Sequence, residues 1–159
     1  SQRLLERETA SAQPVGAAAA AAVAGRRFRF IDTPLNETLY LCFCFRQQAY
    51  AEQLRVELKV PDARWRRIKL RGLADTGRWD ELWELSLGKR PMLPVADFAM
   101  AAAQCGARAE AVRYACRLGP AEAVGFLMGR LVPPAVDVAR EVAALHQEKH
   151  PELWALTEV

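Results

Sequence analysis

An all-α protein, built of antiparallel helical hairpins stacked as an α-solenoid, is the fold class this 159-residue sequence predicts. Three observations predict it. Apolar residues recur at three- and four-residue spacing through most of the chain, which is the period of a helix. Only nine prolines and nine glycines interrupt that spacing, and they fall between the periodic stretches, leaving little room for strands. A short cue then recurs about every 30 residues, at Gln47-Gln48-Ala49-Tyr50-Ala51-Glu52, Gly77-Arg78-Trp79-Asp80-Glu81-Leu82 and Gly106-Ala107-Arg108-Ala109-Glu110-Ala111. A helical hairpin alone cannot cover its apolar face, so successive hairpins stack, bury a continuous seam and leave a large outer surface of the kind that binds proteins.

The elements follow in order. Residues 1-9 hold a short helix over Gln2 to Glu8, and residues 10-29 form an alanine-rich loop insertion, since Ala17 to Ala22 has helix propensity but neither a polar face nor caps. Residues 30-159 form the α-solenoid domain. Thr33 before Pro34 starts its first helix, which continues through an all-round apolar run from Leu39 to Phe45 and is expected in the core. Ala51, Leu54 and Leu58 make one inward stripe, Pro61 ends that helix, and Asp62 is placed to cap the next, over Ala63 to Asp75. Gly77 breaks it, and Asp80 to Leu87 forms another before Gly88 and a Pro91 to Pro94 turn. Further stripes are expected at Phe98, Ala101 and Cys105, at Ala109, Val112 and Cys116, at Val124, Leu127, Met128 and Leu131, and, after Pro133 and Pro134, at Val138, Val142 and Leu145. A tail containing Trp154 beyond Pro151 is expected to fray.

Composition narrows function. With 52% apolar residues the chain can bury one core, and no apolar run approaches the roughly 20 residues needed to cross a bilayer, so a soluble protein is expected. It opens on Ser1 rather than methionine, as a piece of a longer protein would. The four cysteines, Cys42, Cys44, Cys105 and Cys116, form no C-x-x-C pair and sit in apolar helical patterns, as buried thiols of a reducing, cytoplasmic compartment do. A net charge of +3 from 22 basic and 19 acidic residues is too balanced to define a nucleic-acid binder, so any basic patch is local.

The strongest such patch is Arg64-Trp65-Arg66-Arg67-Ile68-Lys69-Leu70-Arg71. At helical spacing Arg64, Arg67 and Arg71 share one stripe, with Trp65, Ile68 and Gly72 on the adjoining one. A cationic stripe edged by an indole suits an acidic protein surface, RNA or a phosphoinositide head group; the plainer reading is a solvated face above a half-buried tryptophan. Arg26, Arg27 and Arg29, alternating with Phe28 and Phe30, read as a wet flank over tucked phenylalanines. His146 and His150 share a helix face, but the order His-Gln-Glu-Lys-His lacks the glutamate a zinc protease places beside its first histidine, and no metal is expected. Trp79 and Trp83, one turn apart, read as a packing stripe. No phosphate-binding glycine loop, nucleophile-and-base pair or carboxylate pair on an apolar face is present in the sequence, so neither catalysis nor a cofactor is expected.

From Ala51 the string Ala-Glu-Gln-Leu-Arg-Val-Glu-Leu-Lys-Val-Pro-Asp-Ala-Arg-Trp-Arg-Arg-Ile-Lys-Leu-Arg-Gly-Leu-Ala-Asp-Thr-Gly-Arg-Trp-Asp-Glu-Leu resembles the C-terminal domain of vacuolar protein sorting protein sixteen. The likeness extends over about Phe30 to Leu145 and is sharpest in the motif Phe/Leu-x-Val/Ile-Pro-Asp-x-Arg at Leu58 to Arg64. The chain departs from that family at Trp65-Arg66-Arg67, where two aromatic residues are usual, at Arg90-Pro91-Met92-Leu93-Pro94, and in its alanine-rich insertion. The resemblance implies a non-catalytic subunit of the HOPS and CORVET complexes, which tether endosomal and lysosomal or vacuolar membranes before SNARE-driven fusion. It further implies a cytoplasmic protein, peripheral to late endosome, lysosome or vacuole, whose earlier helices hold the SM-type (Sec/Munc-like) protein thirty-three. On this reading the partner-binding residues are Arg64, Arg67, Arg71, Trp65, Ala51 and Leu54. A paralogous scaffold pairing with the second SM-type protein, and a basic module for RNA or phosphoinositide, are the alternatives.

Overall fold

Helical periodicity dominates the sequence, and helix is what the chain forms. The computed structural model describes residues 35–159, with helices α1 (Leu35–Cys44), α2 (Gln48–Glu57), α3 (Asp62–Asp75), α4 (Trp79–Leu85), α5 (Val95–Gln104), α6 (Arg108–Ala115), α7 (Pro120–Gly129), α8 (Val136–Leu145) and α9 (Leu153–Leu156), and no strand among the described residues. The all-α expectation holds, with helices paired in hairpins as in an α-solenoid. The expected first helix, the alanine-rich insertion, the Thr33 cap and the arginines at 26, 27 and 29 lie outside the described residues.

The repeat cue has a structural meaning. At the end of α1, Arg46 turns to a φ of 60°, its N–H donates to the Phe43 carbonyl at 3.3 Å, and the Gln47 N–H reaches the Cys42 carbonyl at 2.6 Å. This is the left-handed cap that satisfies the last helical carbonyls. The end of α5 repeats it through Gly106, with the Ala107 N–H on the Ala102 carbonyl at 2.9 Å. Gly77 (φ 73°) closes α3, and Lys59 (φ 50°) closes α2. The next residue in three of these turns, Gln47, Arg78 or Ala107, caps the following helix with nearly the same dihedrals, and one turn further sits a fully buried residue, Ala51, Leu82 or Ala111. Ala135 and Ala139 repeat the capping dihedrals and the buried position, but after Pro133 and Pro134 rather than a left-handed residue.

The chain divides into two units between Gly77 and Arg78. In the first, α1 packs on α3 and α2 around Leu39, Cys42, Phe43, Ala51, Val60, Trp65 and Ile68. Phe43 and Trp65 meet edge to face at 5.1 Å. Gly72 lets α1 and α3 approach closely, since a Cβ there would fall 2.6 Å from the Phe43 Cβ. Several expectations are corrected. Leu58 is 54% exposed because α2 stops at Glu57 and the left-handed turn at Lys59 swings Val60 inward in its place. Phe45 lies past the end of α1 and is exposed. Asp62 is the first residue of α3 rather than its cap; Pro61 holds that position, and Asp62 accepts a 2.7 Å bond from Arg55.

In the second unit α5 pairs with α6, α7 with α8, and α9 packs on both α7 and α8. Tyr114 lies at its centre, 5.5 Å from the Phe98 ring and 5.1 Å from that of Trp83. Three stripes are displaced from their expected positions. The fully buried residues are Ala99 and Ala102 rather than Ala101 and Cys105, Ala111 and Ala115 rather than Ala109 and Cys116, and Ala139 with Ala143 rather than Val138, Val142 and Leu145. These helices carry alanine or valine on several faces, so periodicity leaves the inward face open, and close helix approach selects the smallest residues. Cys105 and Cys116 accordingly sit exposed at helix C-caps, Cys44 is half-buried, and only Cys42 is a core thiol. Burial pushes the Cys42 thiol up to about 12. The tail does not fray in the structure: Leu153 and Thr157 are buried, and Arg140 donates to the Thr157 hydroxyl at 3.4 Å and to its carbonyl at 3.3 Å.

Candidate interaction surface

The surface is built on α3, whose periodicity sorts its side chains onto two faces. Trp65, Ile68 and Gly72 turn inward, while Arg64, Arg66, Arg67 and Arg71 are exposed, as the spacing predicts. The cations differ in their surroundings. Arg71 lies 4.0 Å over the Tyr40 ring, 3.9 Å from Glu37 and 4.0 Å from Asp75. The Tyr40 hydroxyl donates to that same Asp75 carboxylate at 2.6 Å. Burial first, and then this bond, hold the Tyr40 phenol above the ordinary tyrosine range. Arg71 is therefore part of a knot that ties α3 to α1. Arg66 stands 4.0 Å from Asp62, one turn earlier on its helix.

Arg64 is different. It is exposed, and it makes no ion pair or ring contact among the described residues. It also occupies the first turn of α3, where the positive end of the helix dipole disfavours a cation by about 0.3–1 kcal/mol. An unpaired arginine in a position its own helix disfavours is a local inconsistency, and such inconsistencies collect at functional sites. Arg67 shares its face and is exposed as well.

The other expected partner residues are placed differently. Ala51 is fully buried and Trp65 is 4% exposed, so both are core residues of the first unit and neither offers surface; Leu54 is half-buried against the same core. Trp65 is additionally roofed by Arg55, whose guanidinium lies 4.9 Å over the indole while bonding Asp62 at 2.7 Å and standing 3.7 Å from Glu52. Sequence spacing missed Arg55 because Asp62 and Trp65, which it bonds and covers, lie across the α2–α3 turn. It also missed Val56 and Leu58, exposed apolar residues on the α2 side of that turn, because helical spacing placed Leu58 inward. In the second unit Trp83 is half-buried, with the Arg113 guanidinium 3.8 Å and that of Arg117 4.9 Å from its ring; Arg117 also bonds the Ser86 hydroxyl at 2.7 Å. It packs as expected of a stripe residue and forms no open docking pocket.

No group of three histidine, cysteine, aspartate or glutamate side chains among the described residues is disposed to hold a metal ion. None of the described helices is long and apolar enough to cross a membrane.

Fold and surface together define a class: an all-α hairpin protein whose distinctive chemistry is a cationic helix face rather than an ionisable cleft. Residues 25–157 match the family described as Vps16, C-terminal region, and the chain belongs to that family. It is 32% identical to Protein VACUOLELESS1 of Arabidopsis thaliana over 89 residues, covering 56% of this chain and 10% of that protein. It is 29% identical over 85 residues to the Vacuolar protein sorting-associated protein 16 homolog of Dictyostelium discoideum, covering 54% of this chain and again 10% of the relative. The chain thus spans about a tenth of the length of these curated relatives. No solved structure matches it.

Proposed function

We propose that this chain is part of a non-catalytic scaffold subunit of a vacuolar-type sorting and tethering complex, peripheral to endosomal, lysosomal or vacuolar membranes. Its exposed α3 face would berth an SM-type SNARE-assembly protein. Membership of the Vps16 C-terminal family supports the scaffold role, together with the vacuolar sorting named in its relatives. The single observation that carries the berth is Arg64, exposed and unpaired among the described residues at the dipole-disfavoured end of α3. A carboxylate from a partner would supply the missing counter-charge, Arg67 adds a second cation on that face, and Val56 and Leu58 offer exposed apolar area at the end of α2, before the turn into α3. Charge sets register and encounter rate; the buried apolar contacts supply most of the affinity.

The test is co-purification of the chain with the SM-type protein thirty-three and, in parallel, with its paralogue. Arg64→Glu should weaken capture by at least about 30-fold, the scale of a hot-spot residue, with the helical circular dichroism signal intact. Arg71→Ala should leave capture within about threefold, because that cation is occupied inside the chain. Unchanged capture by Arg64→Glu refutes the berth, and preference for the paralogue reassigns the complex. Binding that instead goes to RNA or phosphoinositide, falling steeply with salt and equally for every arginine removed, would replace the protein partner with an anionic one.

A further inference from the structure

We propose that a second copy of this chain docks through Leu145 into the groove between α5 and α7. The groove lies in the second unit and stands independently of the α3 berth. It encloses about 380 Å³ between Met100 of α5, Leu118 of the α6–α7 turn, and Gly125 and Phe126 of α7, with Glu122 and Arg130 at its two ends.

Two features make this groove a specific receptor. Its α7 wall carries no side chain at Gly125, where a Cβ would meet nothing within 4 Å, so room is left for a side chain from outside. Glu122 and Arg130 stand on the same face of α7, about two turns or ~12 Å apart along its axis. Both are exposed, and neither has an ion-pair partner among the described residues. The occupant therefore brings a cation and a carboxylate at matching separation, with an apolar side chain between them.

The chain's own surface carries that combination. Leu145, the last residue of α8, is 81% exposed, although helical spacing would place it inward. Glu141 lies one turn before it. Lys149 follows one turn after it, in the turn closed by the His150 N–H on the His146 carbonyl at 2.8 Å. Both are exposed and without an ion pair among the described residues. Laid antiparallel on α7, Lys149 meets Glu122, Glu141 meets Arg130, and Leu145 falls level with Phe126, beside the open space at Gly125. The antiparallel direction is also the one that opposes the two helix dipoles favourably. An 81% exposed Leu145 does not fill the groove of its own chain, so the contact joins two copies. Plug and socket are different surfaces, which makes the interface heterologous.

Sedimentation velocity and light scattering of the 159-residue chain from about 10 µM to about 0.5 mM test this, a range suited to small, transient interfaces. The weight-average mass should rise above 17.7 kDa with concentration and fall back when salt is raised. Gly125→Leu fills the socket and Leu145→Ser blunts the plug, and each alone should stay monomeric. Mixed, they retain one live plug and one live socket and should form dimers that grow no further. Glu122→Lys should weaken association about tenfold, and adding Lys149→Glu to the same chain should restore it. A mass of 17.7 kDa at every concentration overturns the proposal. So does association that survives both single variants, or a mixture no larger than its components. Should Gly125→Leu lose its helical signal, Leu145→Ser, a change at an exposed position, decides between the same outcomes.

Discussion

Gly72 allows a close reading of how α1 and α3 are held. A Cβ built on it lies 2.6 Å from the Phe43 Cβ and 3.3 Å from the Tyr40 carbonyl oxygen. Both neighbours belong to the backbone or are attached directly to it, so neither can swing aside as the tip of a long side chain would. Gly72→Ala therefore forces α3 away from α1, opening the Phe43–Trp65 contact at the centre of the first unit. Overpacking of this kind costs about 1–3 kcal/mol, and alanine returns at most about 1 kcal/mol through its better helix propensity. A contact of 2.6 Å to a Cβ puts the cost in the upper half of that range, about 2–3 kcal/mol, so the net expectation is a loss of about 1–2 kcal/mol. At about 2–4 °C per kcal/mol for a chain of this size, Tm should drop by about 2–8 °C. Gly125→Ala is the matched control, because its added Cβ meets nothing within 4 Å. There the propensity gain stands alone, and the variant should be up to about 1 kcal/mol more stable than the parent. Urea and thermal unfolding followed by circular dichroism in dilute solution measure both. A Gly72→Ala variant as stable as the parent, or one shifted in the same direction as Gly125→Ala, refutes the argument from close approach.

Two tyrosines should respond oppositely to loss of the hydroxyl. The Tyr114 hydroxyl is buried without a hydrogen-bond partner among the described residues, so Tyr114→Phe should stabilise by about 1 kcal/mol, whereas Tyr40→Phe loses the bond to Asp75 and should destabilise by a similar amount in urea unfolding. Alkaline titration carries a related sign. Burial, with the Glu110 carboxylate second, pushes the Tyr114 phenol up to about 12, and Tyr40 is raised as well. The folded chain thus keeps phenol protons that the unfolded chain releases near pH 10. Stability should be insensitive to these groups below about pH 10 and fall as pH climbs from 10 toward 12, a slope that Tyr114→Phe should reduce. Thiol labelling gives a further test: Cys105 and Cys116 should react rapidly in the native chain, and Cys42 only after unfolding.

Much of the local architecture was legible because the signals for it are local. Gly77 and Gly106 mark left-handed caps, Pro61 and Pro94 precede helices, and the spacing around Trp65, Ile68 and Gly72 sorts α3 into an inward and an outward face. The candidate berth was legible as far as its cations. Spacing grouped Arg64 and Arg71 on one stripe, yet Arg71 is tied to Tyr40, Glu37 and Asp75 while Arg64 is not, and nothing in the periodicity distinguishes them.

Helix existence and the family to which the chain belongs follow from short-range chemistry and motif, which the sequence carries by itself, whereas the ends at Cys44 and Glu57 were fixed only in the structure. Which face of an alanine-rich helix is buried depends on the neighbour that arrives against it. That is why the tertiary structure alone placed Ala102 and Ala143 inside and Cys105 and Leu145 outside. The docked tail was decided there too, because the bonds from Arg140 to Thr157 join residues that no periodic pattern connects. Packing at close approach selects small side chains wherever two helices cross, and the crossing itself is a property of the pair rather than of either helix.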